Sequence, residues 1–239
     1  MKSKDLFYLI LCLSLLLLSP TLHGQHFSIK GGLSAANVTG DMIDLQWGGS
    51  YPTRHQTTFH LEASVIFPLS SAFSIQTGIK YNGKGHRHHS QGINIFPYFG
   101  YVSEVSSQIF YADLPLAIKF TIPKVGCETY VFVGGYVGIG LHGKRVTTNT
   151  FIDRSSEMVE RNIQFGDDGD YQRLDYGGHF GVGLHFGSLI FEVSYSLGIP
   201  DLSIASDPSS NNPEENMNRN RLLSVSLGYR LMNIGSKTE

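Results

Sequence analysis

Three groups of side chains in this sequence have the types to do chemistry. The most conspicuous is "GHRHHS", residues 85–90, where His86, His88 and His89 offer imidazoles within one short stretch. Imidazole ligates zinc and copper, and a histidine-rich tract is a metal-binding composition. The spaced second half of a structural zinc site is missing, so the tract reads as a polar strand extension at the start of an outer loop and no cofactor is expected. Asp167, Asp168 and Asp170 flank Gly169, but the ordered ligands and closing glutamate of a calcium loop are absent. That stretch reads as a solvated acidic loop. The third group is dispersed: Lys30, His60, Glu62, Lys80, Asp113, Lys119, Asp175, His179, His185, Glu192 and Arg230. Within any one run their spacing is even, so each run presents its charges on one face of a strand. Both signs occur, and the chemistry this favours is mutual pairing; a binding or catalytic cluster is the alternative.

The elements that must position these groups are strands. Strict alternation dominates the chain: Phe59, Leu61, Ala63, Val65 and Phe67 oppose His60, Glu62 and Ser64, and Leu174, Tyr176, Phe180, Val182, Leu184 and Phe186 oppose Asp175, Gly177, His179, Gly181, Gly183 and His185. The same reading gives eight candidate strands near 27–35, 58–67, 73–82, 110–120, 130–141, 174–186, 189–197 and 223–231. Each is about nine to twelve residues long, and a transmembrane β-strand needs about 9–11. No segment has a convincing helical period.

The connections carry more information than the strands. In order they are long (36–57), short (68–72), long (83–108), short (121–129), long (142–172), tight (187–188) and long (198–220). Outer-membrane barrels place short turns at the periplasmic end and long loops outside. A soluble sandwich has no reason to put every long loop at one end, although its strands would alternate in the same way.

The N-terminus has the order of an export signal: Lys2 and Lys4, an apolar stretch from Leu6 to Leu18, then Pro20 and a small Gly24. The expected division is therefore a signal peptide over 1–24 and a barrel domain over 25–239. Cys12 lies inside the apolar stretch, which leaves Cys127 as the single mature cysteine and excludes an internal disulfide. Formal charge is -2, with no basic stripe for nucleic acid. Glycine is abundant at 27 residues and charged residues make up only 16%, a mixture suited to a narrow, crowded barrel interior. The expected fold class is all-β, an eight-stranded antiparallel up-and-down transmembrane β-barrel of the outer-membrane type, in the outer membrane of a Gram-negative cell.

In "YADLPLAIKF", 111–120, the even positions then face lipid, and Tyr111, Asp113, Pro115, Ala117 and Lys119 face the interior. Asp113 and Lys119 are six residues and about 20 Å apart along a strand, so each needs a partner on a neighbouring strand. Register leaves open whether Glu62, Asp113 or Glu192 meets Lys80 or Lys119. Pro115 removes a ladder donor, and the strand is expected to be weak or bulged there. Trp47, Tyr51, Tyr98, Phe99, Tyr101, Tyr111 and Tyr171 lie near strand ends or in loops, and some of them are expected to supply an interfacial aromatic belt; ligand contact by Tyr98, Phe99 and Tyr101 is the alternative.

The ordered set "FSIKGGLSAANV", "FSIQTGIKYNGKG", "YADLPLAIKF", "YVFVGGYVGIGLHG", "YGGHFGVGLHFGSLIFEVSYSLGIPDL" and "RLLSVSLGYRL" resembles the small outer-membrane β-barrel proteins of Bacteroidetes, the porin-family or PorT-like proteins, over nearly all of the chain after the signal. The chain departs from the family's aromatic terminus by running on from Met232 to Glu239. The resemblance implies an eight-stranded barrel and a PorT-like, secretion-associated role as a special case. The leading functional expectation is a non-enzymatic envelope protein. It would contact outer-membrane lipid through its wall and a protein partner or surface ligand through its outer loops; no oligomeric state follows. The alternatives are a small passive porin and a membrane-embedded lipid-modifying enzyme, for which Ser106 and His142 are conceivable members of a catalytic set with nothing in their spacing to join them.

Overall fold

Strands with one polar and one apolar face can bury either, depending on the solvent, and here the polar face is turned inward. In a computed structural model the described residues are 25–39, 42–44, 49–51, 53–95, 98–122, 127–151, 155–166, 169–201 and 219–231. The strands are β1 (His26–Thr39), β2 (Met42–Asp44), β3 (Gly49–Tyr51), β4 (Thr53–Arg54), β5 (Gln56–Pro68), β6 (Phe73–Ile95), β7 (Tyr98–Ile122), β8 (Glu128–Phe151), β9 (Ser156–Asn162), β10 (Leu174–Phe186), β11 (Leu189–Gly198) and β12 (Arg219–Leu231). Eight of them form an antiparallel ring in the order β10, β11, β12, β1, β5, β6, β7, β8, and β8 pairs back onto β10. Closure leaves no unpaired edge, which is what a sheet needs in hydrocarbon. β4 adds to β6 and β9 to β8 at one end, while β2 and β3 pair separately.

The distribution of side chains is the inverse of a soluble core. Leu33, Leu61, Ile79, Leu116, Val133 and Leu227 are all more than half exposed on the outer wall, whereas Lys30, Glu62, Asp113, Lys119, Asp175 and Glu192 are nearly inaccessible inside. An apolar wall around a charged interior is stable only where the wall meets lipid. No described helix is long and apolar enough to cross a membrane; crossing is by strands.

One expectation is corrected. β6, β7 and β8 are 23, 25 and 24 residues long, so 83–108 is a paired hairpin and not a loop. Most of 142–151 likewise continues β8, with β9 folded back on it. The polar residues there hid the strand because the alternation loses its apolar half once the wall leaves lipid. The expected weakness at Pro115 is present. Its ladder to β6 is indeed interrupted, jumping from Thr77 opposite Leu116 to Lys80 opposite Asp113, and Thr77 Oγ1 donates to the Pro115 carbonyl at 2.9 Å. The register shift itself lies at Phe110/Tyr111, between β7 and β8.

Candidate functional site

The interior concentrates ionisable groups. Lys30 on β1 stands in register with Glu62 on β5, and Glu62 with Lys80 on β6, which in turn faces Asp113 on β7. Register makes these residues neighbours, and side-chain length decides the pairs. Lys30 Nζ lies 3.0 Å from Glu62 Oε1 and donates to both oxygens of Glu192 at 2.8 and 2.9 Å. Tyr130 completes that cluster by donating to Glu192 Oε2 at 2.8 Å. Nearer the outer end, Lys84 donates to Asp113 and Asp175, each at 2.9 Å. Asn82 bonds Asp113, and Asn220 and Tyr136 bond Asp175. Two carboxylates around each ammonium meet the requirement that buried charge be paired and hydrogen-bonded.

Between the clusters His60 bridges Ser34 (2.9 Å) and Ser226 (2.8 Å), and His179 bonds Ser196 (2.9 Å). The buried lysines Lys30, Lys80, Lys84 and Lys119 match Glu62, Asp113, Asp175 and Glu192 in number, so the interior balances. Lys80 and Lys119 nonetheless have no carboxylate within 4.0 Å among the described residues. Register, which the sequence leaves open, sets Lys80 opposite Glu62 and Asp113, but neither Lys80 nor Lys119 is the ion-pair partner of these acids. Lys30 and Lys84 hold those acids, because alternation fixes the face of a strand and not how far around the ring a side chain reaches.

Apolar packing closes the lumen at two levels. Tyr130, Phe132, Ala117 and Ile190 cluster below the Lys30 group. Ile163 and Tyr171, with Phe165, pack on Ile109 and Tyr111 at the outer end. These rings need glycine seats: a Cβ on Gly140 would meet Phe165 at 2.4 Å, and one on Gly183 would meet Tyr130 at 2.2 Å. Tyr111 faces the interior, as alternation along 111–120 has it, and Tyr171 is likewise buried there and not in an interfacial belt. One outer-wall aromatic cluster is formed by Phe59, Tyr81, Phe110 and His142, with Tyr81 stacked on Phe110 at 5.0 Å and bonded to His142 at 2.9 Å. The side chains of Trp47, Tyr51, Tyr98, Phe99 and Tyr101 lie outside the described residues, as do Asp167 and Asp168.

The chemical candidates separate. His86 and His88 share the inward face and stack at 6.0 Å; His89 is on the other face because it is one residue further along a strand. No group of three metal-ligating side chains occurs among the described residues. Asp170 pairs with Arg145 (3.4 Å) and Arg161 (2.6 Å). Ser106 bonds the Gln56 amide at 3.2 Å, while His142 bonds Tyr81. His185 and Lys119 meet at 3.1 Å near the short-turn end, where Arg230 reaches Glu128 at 3.2 Å. Sequence reading missed Lys84, Asn82, Tyr130, Tyr136 and Asn220. Lys84 is at an even spacing of four from Lys80, which would have placed it on the same face had β6 been read as continuing past Asn82.

The family described as outer membrane protein beta-barrel domain matches residues 19–203. No curated protein matches the chain. Among solved structures, Ail of Yersinia pestis is 12% identical, with 88% of this chain and 100% of that chain aligned at a TM-score of 0.36. OprG from Pseudomonas aeruginosa is 12% identical over 87% of this chain and 97% of that one, with a TM-score of 0.38. The outer membrane protein AlkL is 17% identical over 92% and 96%, with a TM-score of 0.39.

Proposed function

The chain belongs to the outer membrane protein beta-barrel domain family and is an outer-membrane protein, and from that footing we propose a non-enzymatic envelope role. In this reading the lumen is a plugged strut, and the outer sheet extension engages a protein partner or surface ligand. The observation that carries the proposal is the asymmetry of the wall. β6 to β8 have 23 to 25 residues, against 10 to 13 for β10 to β12. Since about 9–11 residues cross the membrane, roughly a dozen per long strand, or about 40 Å of strand, project beyond it. That projection carries exposed Arg87, Glu104, Lys144, Glu160 and Arg161, a polar surface of the kind that meets partners at the ends of rigid scaffolds.

The two-level plug argues against a passive pore, because paired charges and aromatic rings occupy the space an eight-stranded ring encloses. The separation of Ser106 from His142 in their hydrogen bonds leaves the lipid-modifying alternative without a base for its hydroxyl. A Bacteroidetes, PorT-like secretion role is the finer form of the proposal and rests on the ordered motifs. Residues 1–24 are proposed to act as the export signal for a barrel domain of 25–239, which N-terminal sequencing of the mature protein tests.

The functional test is photocrosslinking from Arg87, Glu104 and Glu157 in intact cells, together with planar-bilayer recording of the purified barrel. A discrete adduct from the extension and no unitary conductance are expected. Reproducible single-channel steps with no adduct from any of the three positions would replace this reading with the porin.

A further inference from the structure

We propose that the periplasmic mouth of the barrel is a binding site for a small oxyanion, a phosphate or carboxylate group held between Lys119 and Arg230. The mouth lies at the end where the short turns gather, the periplasmic end of an outer-membrane barrel. It encloses a cavity of about 150 Å³ lined by Lys119, Arg230, His185, Glu128, Ser71 and Ser74, among others.

The charge in this cavity does not balance. Lys30 and Lys84 each have two carboxylates within 3.0 Å. Lys119, equally inaccessible at 2% exposure, has none within 4.0 Å among the described residues. Its ammonium group lies 3.4 Å from the centroid of the Tyr130 ring and donates to His185 Nε2 at 3.1 Å. A cation over an aromatic face is stabilised, and an ammonium has three protons to place. Arg230 is also incompletely satisfied: one terminal nitrogen reaches Glu128 Oε2 at 3.2 Å, while its Nε is buried without a partner.

Glu128 is the carboxylate on this lining. It is 43% exposed and shared, because His185 Nδ1 also lies 3.3 Å from Oε2, though without hydrogen-bond alignment. Two cations therefore face a single shared carboxylate, and the serine hydroxyls add neutral donors. A group with several acceptor oxygens and negative charge supplies what all of these donors lack. Tyr130 and Phe132 close the lumen behind the cavity, so such a group enters from the periplasm and stops there. The volume suits one small oxyanion or the acidic end of a small solute.

The test is calorimetric titration of the folded, purified full mature chain in detergent with sodium phosphate and, separately, sodium acetate, each against sodium chloride at matched ionic strength. Folding is checked by the heat-dependent gel mobility of intact barrels. Saturable one-to-one binding of at least one oxyanion is expected, weakened tenfold or more in Lys119→Gln and in Arg230→Gln and unchanged in Arg54→Gln, exposed on β4. Preference for phosphate or for acetate identifies the group. Should Lys119→Gln not fold, the rim position Arg230→Gln, whose side chain is 22% exposed, carries the comparison. No saturable heat with either anion, or equal affinity in wild type and the folded variants, would overturn the proposal.

Discussion

Lys30 Nζ lies 2.8 Å from Glu192 Oε1, although 162 positions separate the residues and β12 runs between their strands. The pair spans the seam where the first and last strands of the ring meet. Removing one member of a buried pair leaves the other charged without compensation, at a cost of about 3–5 kcal/mol. Lys30→Met strands two carboxylates unequally: Glu62 keeps the Gln76 amide at 3.3 Å and has Lys80 in register, whereas Glu192 keeps only the Tyr130 hydroxyl. Urea midpoints in liposomes should therefore show Glu192→Gln rescuing Lys30→Met better than Glu62→Gln does. Equal rescue would mean that Lys80 does not cover Glu62.

The seat of Tyr130 gives a second expectation. A Cβ on Gly183 would fall 2.2 Å from Tyr130 Cζ and 2.3 Å from its hydroxyl, while one on Gly178 of the same strand meets nothing within 4 Å. Gly183→Ala must push the ring off Glu192, at about 1–3 kcal/mol for overpacking. Gly178→Ala is expected to be neutral or stabilising by up to about 1 kcal/mol, through the unfolded chain. If both variants unfold at the same urea concentration, the ring is not held there.

Acid sensitivity should arise at His86, above the apolar band, where neighbouring Arg87 is half exposed toward Glu104. Both His86 ring nitrogens are buried without hydrogen-bond partners. Burial, with His88 and Arg145 nearby, pushes its imidazole down to about 3. An unfolded chain takes up that proton below about pH 6.5, and the folded one refuses it until about 3. Stability is therefore intact above pH 7, falls as pH drops below 6.5, and levels out near 3. At pH 4.5 the contribution is about 2–3 kcal/mol. His86→Phe should lose less stability than wild type between pH 7.5 and 4.5, measured by urea titration at each pH. Parallel losses would assign the acid response to other groups.

Alternation was enough to separate the faces of each strand: Glu62 and Lys80 read as inward because each is flanked by outward apolar residues, and the wall they imply is the one the fold shows. Alternation has no access to register, so the partners of Lys30 and Lys84 were not legible. Nor could it follow β6 past Asn82, because the outward residues beyond it, Gly83, Gly85 and Arg87, no longer need to be apolar once they leave lipid. The inward turn of Tyr171 was hidden for a related reason, since a buried ring and an interfacial ring are the same letter in a sequence. Positions where the pattern fails thus mark where the solvent changes along a strand.

The position of that change is testable with one charge placed at two heights. Leu116 on β7 is 60% exposed and flanked on the same face by Leu114 and Ile118, while Met158 on β9 is 70% exposed amid Glu157, Val159 and Glu160. In water both would accept arginine within about 0.5 kcal/mol. In a bilayer the two differ: an arginine near mid-depth of the lipid face costs about 2–4 kcal/mol, falling toward zero near the interface. Leu116→Arg should accordingly lower stability in liposomes by that amount, and Met158→Arg should leave it unchanged. Both variants should still reach the folded gel mobility, since neither side chain enters the lumen. A comparable loss at Met158 would put β9 inside the membrane and shorten the projecting sheet on which partner engagement depends. No loss at Leu116 would mean that the apolar wall does not face lipid at that height.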